Sequence, residues 1–187
     1  MVSEAGWAAT EPCTAGRAGR TLIVGLGSPI LRDDAIGLHL VRALADRLPV
    51  ESCCIIEAGA AGLRLLPLLD GWERVVFVDA LLWSAELGGT ACPGRLHELT
   101  ADQLHSTLTL HSSHEPSLGD TLALGRQVGM ALPEQVVVLG VEVSDPFTFD
   151  EQMTPELTAR VEALADEIAG RCRLSWDGTA GPEASAP

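Results

Sequence analysis

The chain has 187 residues, 47% apolar and 20% charged, enough to bury one core without staples. Its 26 acidic and 12 basic side chains leave a formal charge of −14. That balance excludes the clustered Lys and Arg of a nucleic-acid binder and disfavours an anionic membrane surface. Thr21 to Val24 is a short apolar run stopping at Gly25, which predicts a buried strand. After a loop, Asp33 or Asp34 can cap a helix carrying Ile36, Leu40, Val41, Leu44 and Leu48 on one face. Residues 53–56 form a second apolar run, ended by Glu57-Ala58-Gly59, and a helix is expected from about Ala61 to Leu69. Val75-Val76-Phe77-Val78 is the third strand, ending at Asp79. Residues 94–99 alternate in the manner of a half-exposed edge strand. Leu118 to Ala131 predicts a helix and Gln135 to Val141 a strand. Thr154-Pro155-Glu156 opens a last helix, with Pro near its first position, running to about Arg171.

Continuous apolar strands alternating with helices predict a three-layer α/β/α fold around a mostly parallel sheet of about five strands. Residues 1–19 lack periodicity and are expected to form a flexible extension. Residues 20–172 form the domain, and residues 173–187 have the composition of a disordered tail. No apolar run approaches the roughly 20 residues of a membrane helix. Nor do the first 20 residues carry the apolar stretch of a secretory signal, so a cytoplasmic location is expected. The five cysteines (13, 53, 54, 92 and 172) are odd in number and include no Cys-x-x-Cys pair. Neither a disulfide framework nor a thiolate zinc site is predicted. Cys53 and Cys54 are expected to serve as small buried apolar residues.

In parallel sheets the ligand crevice lies beyond the carboxyl ends of the strands. Here that edge collects Gly25 to Asp34, Glu57 to Gly62, Asp79 and Glu142, an acidic set. Gly25-Leu26-Gly27 invites a dinucleotide reading, but the third glycine would fall at Ile30 and Pro29 delays the helix. Two carboxylates also occupy the phosphate position. Asp34 and Asp79, if on neighbouring strands, would repel unless a proton or cation lies between them. His111-Ser112-Ser113-His114 precedes the helix from Leu118 and can reach the same edge. An imidazole with two carboxylates suits a divalent ion such as nickel or zinc. His39 and His97 read as structural or solvated.

The run Gly25-Leu26-Gly27-Ser28-Pro29, then Asp33-Asp34-Ala35-Ile36-Gly37, Ala61-Gly62-Leu63, Val76 to Ala80, Ser113-His114-Glu115 and Leu139-Gly140-Val141-Glu142 resembles the hydrogenase maturation endopeptidases. The likeness spans roughly residues 21–170. It implies an endopeptidase that removes the C-terminal extension of a nickel–iron hydrogenase large-subunit precursor after nickel insertion. It also implies Asp34, Asp79 and His114 as catalytic, metal-contacting residues, with nickel carried by the substrate or another divalent metal in its place. Gly27, Ser28, Glu57, Gly59 and Ala60 match the family's substrate-handling positions, and a monomer is implied. The family usually has Asn at the position of Ser28, and an Asp-Gly-Gly-Thr turn where this chain has Glu57-Ala58-Gly59-Ala60. That altered turn motivates an alternative, a non-cleaving homologue that binds the precursor as an assembly factor.

Overall fold

A computed structural model describes residues 7–9, 17, 19–59, 62–83, 90–99, 101 and 117–176. Six strands form one sheet in the order β1-β3-β2-β4-β6-β5. They are β1 Trp7–Ala9, β2 Thr21–Leu26, β3 Cys53–Ala58, β4 Arg74–Leu82, β5 Leu96–Leu99 and β6 Gln135–Val143. The four inner strands run parallel, while β1 and β5 close the two edges antiparallel. The mostly parallel sheet expected from the sequence is therefore present, with its apolar runs inside and its alternating run, β5, at an edge.

Side-chain alternation divides the apolar residues between two cores. Ile23, Ile55, Val76, Val78, Leu139 and Val141 face α1 (Ile36–Ala45) and α5 (Val161–Trp176). Leu22, Val24, Cys54, Ile56, Val75 and Phe77 face the opposite way, toward Leu68 and Leu69 of α2 (Leu66–Leu69) and Leu122 of α3 (Leu118–Gln127). A short helix α4 (Pro155–Thr158) precedes α5 and buries Leu157 in the first core. The result is helix, sheet and helix in three layers. Among the described residues no helix is long and apolar enough to cross a membrane.

One contact fixes where α1 begins. A methyl group added at Gly37 would lie 2.2 Å from the Leu26 carbonyl oxygen and 2.4 Å from that of Val78. Added at Gly25, it would lie 2.5 Å from the Gly37 carbonyl oxygen. Helix and sheet thus touch backbone to backbone, an approach open only to glycine. Gly27, at φ +132°, turns the chain out of β2 with the Asp34 carbonyl against it.

Several boundaries differ from expectation. Strand β4 does not stop at Asp79: it continues beside β6 to the pair Leu82↔Val143, whereas its pairing with β2 ends at Gly25↔Val78. The apolar run broke at Asp79 because β2 leaves there, not because β4 does. Helix α3 closes at Gln127, ahead of the turn at Gly129. The final helical stretch divides into α4 and α5 and reaches Trp176 rather than Arg171. Trp7–Ala9 lies in the segment expected to be a flexible extension, yet pairs with Ile56 to Ala58 of β3. Cys53 is a free buried thiol, but Cys54 is disulfide-bonded rather than a plain apolar filler.

Replacing Gly37 with Ala is expected to destabilise the protein by about 1–3 kcal/mol or more, because both opposing atoms are backbone. Urea denaturation of the two forms checks it, and an unchanged midpoint would contradict the close approach.

Candidate functional site

The loop leaving β2 passes over the sheet edge and returns as a 3-10 turn, Asp33–Ala35, that leads into α1. Neither aspartate caps the helix with its side chain. Both are buried, and each is used elsewhere.

Asp33 is wholly buried and ties the exit of β6 to the start of α1. Its carboxylate accepts the backbone amides of Ser144 (3.3 Å), Asp145 (3.0 Å) and Thr154 (2.8 Å). Its neighbour Arg32 donates to Asp150 at 2.7 Å and Asp145 at 3.2 Å. This adjacent pair anchors the 144–154 segment. The sequence could not separate Asp33 from Asp34, since two consecutive aspartates read alike.

Asp34 points the other way. Its Oδ2 accepts the backbone amide of Ser28 at 2.7 Å, which orients the carboxylate over the end of β2. Asp79 sits one residue past the last β2–β4 pair, where its Oδ1 accepts the amide of Ala80 at 2.8 Å. Burial, followed by the negative charge of Asp34, pushes the Asp79 carboxyl up to about 8. The two carboxylates are both buried and close enough for the charge of Asp34 to act on Asp79. Desolvated like charges are costly side by side, and either a proton or a cation relieves them. Oxygen donors of this kind suit a divalent ion. Among the described residues no group of three or more His, Cys, Asp and Glu has the geometry of a metal site. His114 and Ala60 lie outside the described residues.

The remaining expected positions divide. Ser28 contributes its backbone amide to Asp34, and Gly27 makes the turn that permits it. Glu57 belongs to β3 rather than to a turn, and Arg42 clamps its carboxylate through two bonds of 2.8 and 2.6 Å. An acceptor so engaged is oriented toward α1. Gly59 follows the end of β3 and is exposed. His39, near that ion pair, is pushed down by burial and then by the Arg42 charge. His97 is not a solvated side chain: its Nε2 lies 2.7 Å from Glu142 Oε1, and Glu142 is buried. A glutamate inside the apolar run Val136–Val143 was the available signal for such a buried partner.

A parallel α/β domain with a desolvated carboxylate pair at the carboxyl edge of its sheet is the class these observations define. Residues 38–171 match the family model of hydrogenase maturation proteases, and the chain belongs to that family. It is 27% identical over 157 residues to the hydrogenase 2 maturation protease of Escherichia coli (strain K12), covering 83% of this chain and 92% of that protein. The solved hydrogenase maturating endopeptidase HybD from E. coli superposes with a TM-score of 0.66 at 26% identity, covering 83% of this chain and 93% of that one. The [NiFe] hydrogenase maturation protease HycI from Thermococcus kodakarensis shares the fold, with a TM-score of 0.60 at 22% identity and coverage of 83% and 93%. The chain is a protease of this family, and the non-cleaving alternative is not favoured. The family match begins after Asp34, so that carboxylate is argued from geometry.

The raised Asp79 carboxyl has a definite sign. Below its ordinary value of 3.8 it is protonated in both folded and unfolded chains; between there and about 8 only the folded protein keeps the proton. Stability of the metal-free protein therefore falls as pH rises across that window. Asp79→Asn is expected to flatten the fall and to raise stability at pH 8 by about 0.5–2 kcal/mol, read from thermal or urea midpoints. Asp33→Ala should instead cost roughly 3 kcal/mol or more at any pH near neutrality, because three backbone amides lose a charged acceptor. Equal effects at the two aspartates would contradict the division of roles.

Proposed function

We propose that this protease removes the C-terminal extension of a nickel–iron hydrogenase large-subunit precursor after nickel insertion. Asp34, Asp79 and His114 would contact a divalent ion at the cleavage point, with nickel brought in by the substrate. The observation that carries this reading is the buried Asp34–Asp79 pair, whose mutual repulsion a cation relieves. Two features support His114 as the third member. Alternation along β4 puts Asp79 on the side of Val75 and Phe77, the same side as α3. Residue 114 precedes the Ser117 N-cap of α3 by only three residues in the sequence.

The roles of this chain's own groups follow from their surroundings. Asp79 holds a proton in the cation-free protein and gives it up when a cation enters. Asp34, pinned by the Ser28 amide, meets the incoming charge without reorganising. A bound divalent ion would polarise the scissile carbonyl and make water a better nucleophile. A precursor without nickel brings no ion, so Asp79 keeps its proton and the tail is left uncut. This reading places the reaction in the cytoplasm and the enzyme in monomeric form.

The test is incubation of the purified protein with nickel-loaded and nickel-free precursor, with the tail followed by mass spectrometry. Cleavage is expected only with the loaded form, and Asp34→Asn, Asp79→Asn and His114→Ala are each expected to lose about 100-fold or more in rate. A loaded precursor left intact, or a His114→Ala variant with full activity, would overturn the assignment.

A further inference from the structure

We propose that the strap of residues 144–150, together with Ile30, is a docking surface for the body of the precursor protein, outside the segment that is cut. Its partner would be a protein face with apolar side chains ringed by Lys and Arg. This inference rests on the proteolytic reading above.

The first observation is exposure. Phe149 is 80% exposed, Ile30 52% and Phe147 51%. The chain has only three phenylalanines, and two of them stand here in solvent. Single exposed apolar residues need no explanation, but three of them on two hydrogen-bonded segments do. The segments are joined: Leu31 bridges Phe149, and the Asp150 amide donates to the Ile30 carbonyl.

The second observation is rigidity. The strap is held from beneath by the buried Asp33 carboxylate, and from the side by Arg32 through Asp145 and Asp150. The Arg32 amide donates to the Thr148 carbonyl, and the Asp145 carboxylate accepts the amides of Thr148 and Phe147. An apolar loop fixed this firmly loses little conformational entropy on binding. A strap kept only for folding would gain by turning the rings inward.

Position and charge select the occupant. Ile30 is two residues from Ser28, whose amide holds Asp34. A protein with its scissile segment at the Asp34–Asp79 edge would therefore lie across the strap. The three side chains present roughly 300 Å² of apolar surface. A stable interface needs about 800 Å² on each side, so the patch works together with the cleft and not alone. A second copy of the chain is disfavoured, because each carries −14. Asp145 and Asp150 share one cation, Arg32, and Glu151 beside them is exposed, so the rim keeps a net negative charge, which favours a basic surround on the partner.

Steady-state cleavage of nickel-loaded precursor by the unaltered protein and by the Phe147→Ser/Phe149→Ser double variant tests the inference, with thermal midpoints measured alongside. The expected result is a KM raised about tenfold or more, kcat within about twofold, and an unchanged midpoint. Phe149→Leu should recover part of the loss. An unchanged KM would overturn the docking surface, and so would a loss confined to kcat. Self-association of the unaltered protein that the double variant abolishes would reassign the patch to a second copy. Should the unaltered protein leave loaded precursor uncut, the proteolytic reading itself fails and the docking surface with it. If it cuts and the double variant cuts equally well, the docking surface alone falls.

Discussion

The backbone contact of α1 on β2 and β4 is the constraint on which the site depends. With no side chain at Gly25 or Gly37, the helix starts against the carbonyls of Leu26 and Val78. That seats the preceding turn, and with it Asp34, at the point where β2 ends and β4 runs on. Asp79 is the next residue of β4. Had the helix been held off by even one methyl layer, two residues separated by 45 positions would not share a crevice. Dense packing makes such a shift costly elsewhere in the layer. The placement of two carboxylates is thus a by-product of how closely a helix can sit on a sheet.

Consecutive aspartates then do opposite work. Asp33 is saturated by backbone amides, and every bond it makes lowers the energy of the fold. Asp34 is aimed at another acid, and the neighbouring Asp79 keeps a proton far above the ordinary carboxyl range. Perturbation by burial together with a specific like charge is a signature of functional sites, because no folding requirement explains keeping both groups ionisable. Asp33 thereby steadies the turn that carries Asp34. Arg32 extends that support to the strap bearing Phe147 and Phe149.

Most of the architecture was legible because apolar runs and their interruptions track burial directly. The run Thr21–Val24 became the central strand, and the alternation at 94–99 became the edge strand β5. Errors fell where a polar residue is buried inside an element. Asp79 looked like a strand terminus because an acid was not expected mid-strand, although β4 continues for three more residues. Glu142 reads as part of the acidic edge and His97 as structural or solvated, since their pairing crosses two strands and 45 residues of chain. β1 is not legible in the sequence because three residues carry too little periodicity. At the site, the types and order of the carboxylates were readable, but the division between Asp33 and Asp34 was not. Only the amides of Ser144, Asp145 and Thr154, more than 100 residues away, decide it. Nothing in the residues around Glu57 shows that Arg42 on α1 engages its carboxylate.

The covering of α1 by α5 has a consequence for synthesis. The helix that seats Asp34 packs its buried face on Leu164, Ala165, Ile168 and Cys172, and Arg47 at its foot is gripped by Glu162 and Asp166. These residues are translated more than 110 positions after α1. While the polypeptide is still emerging from the ribosome, α1 lacks these apolar partners and is covered on its sheet side alone. The seat of Asp34 is therefore incomplete until α5 has been made, so a nascent chain would not act on a precursor before that helix has emerged and docked.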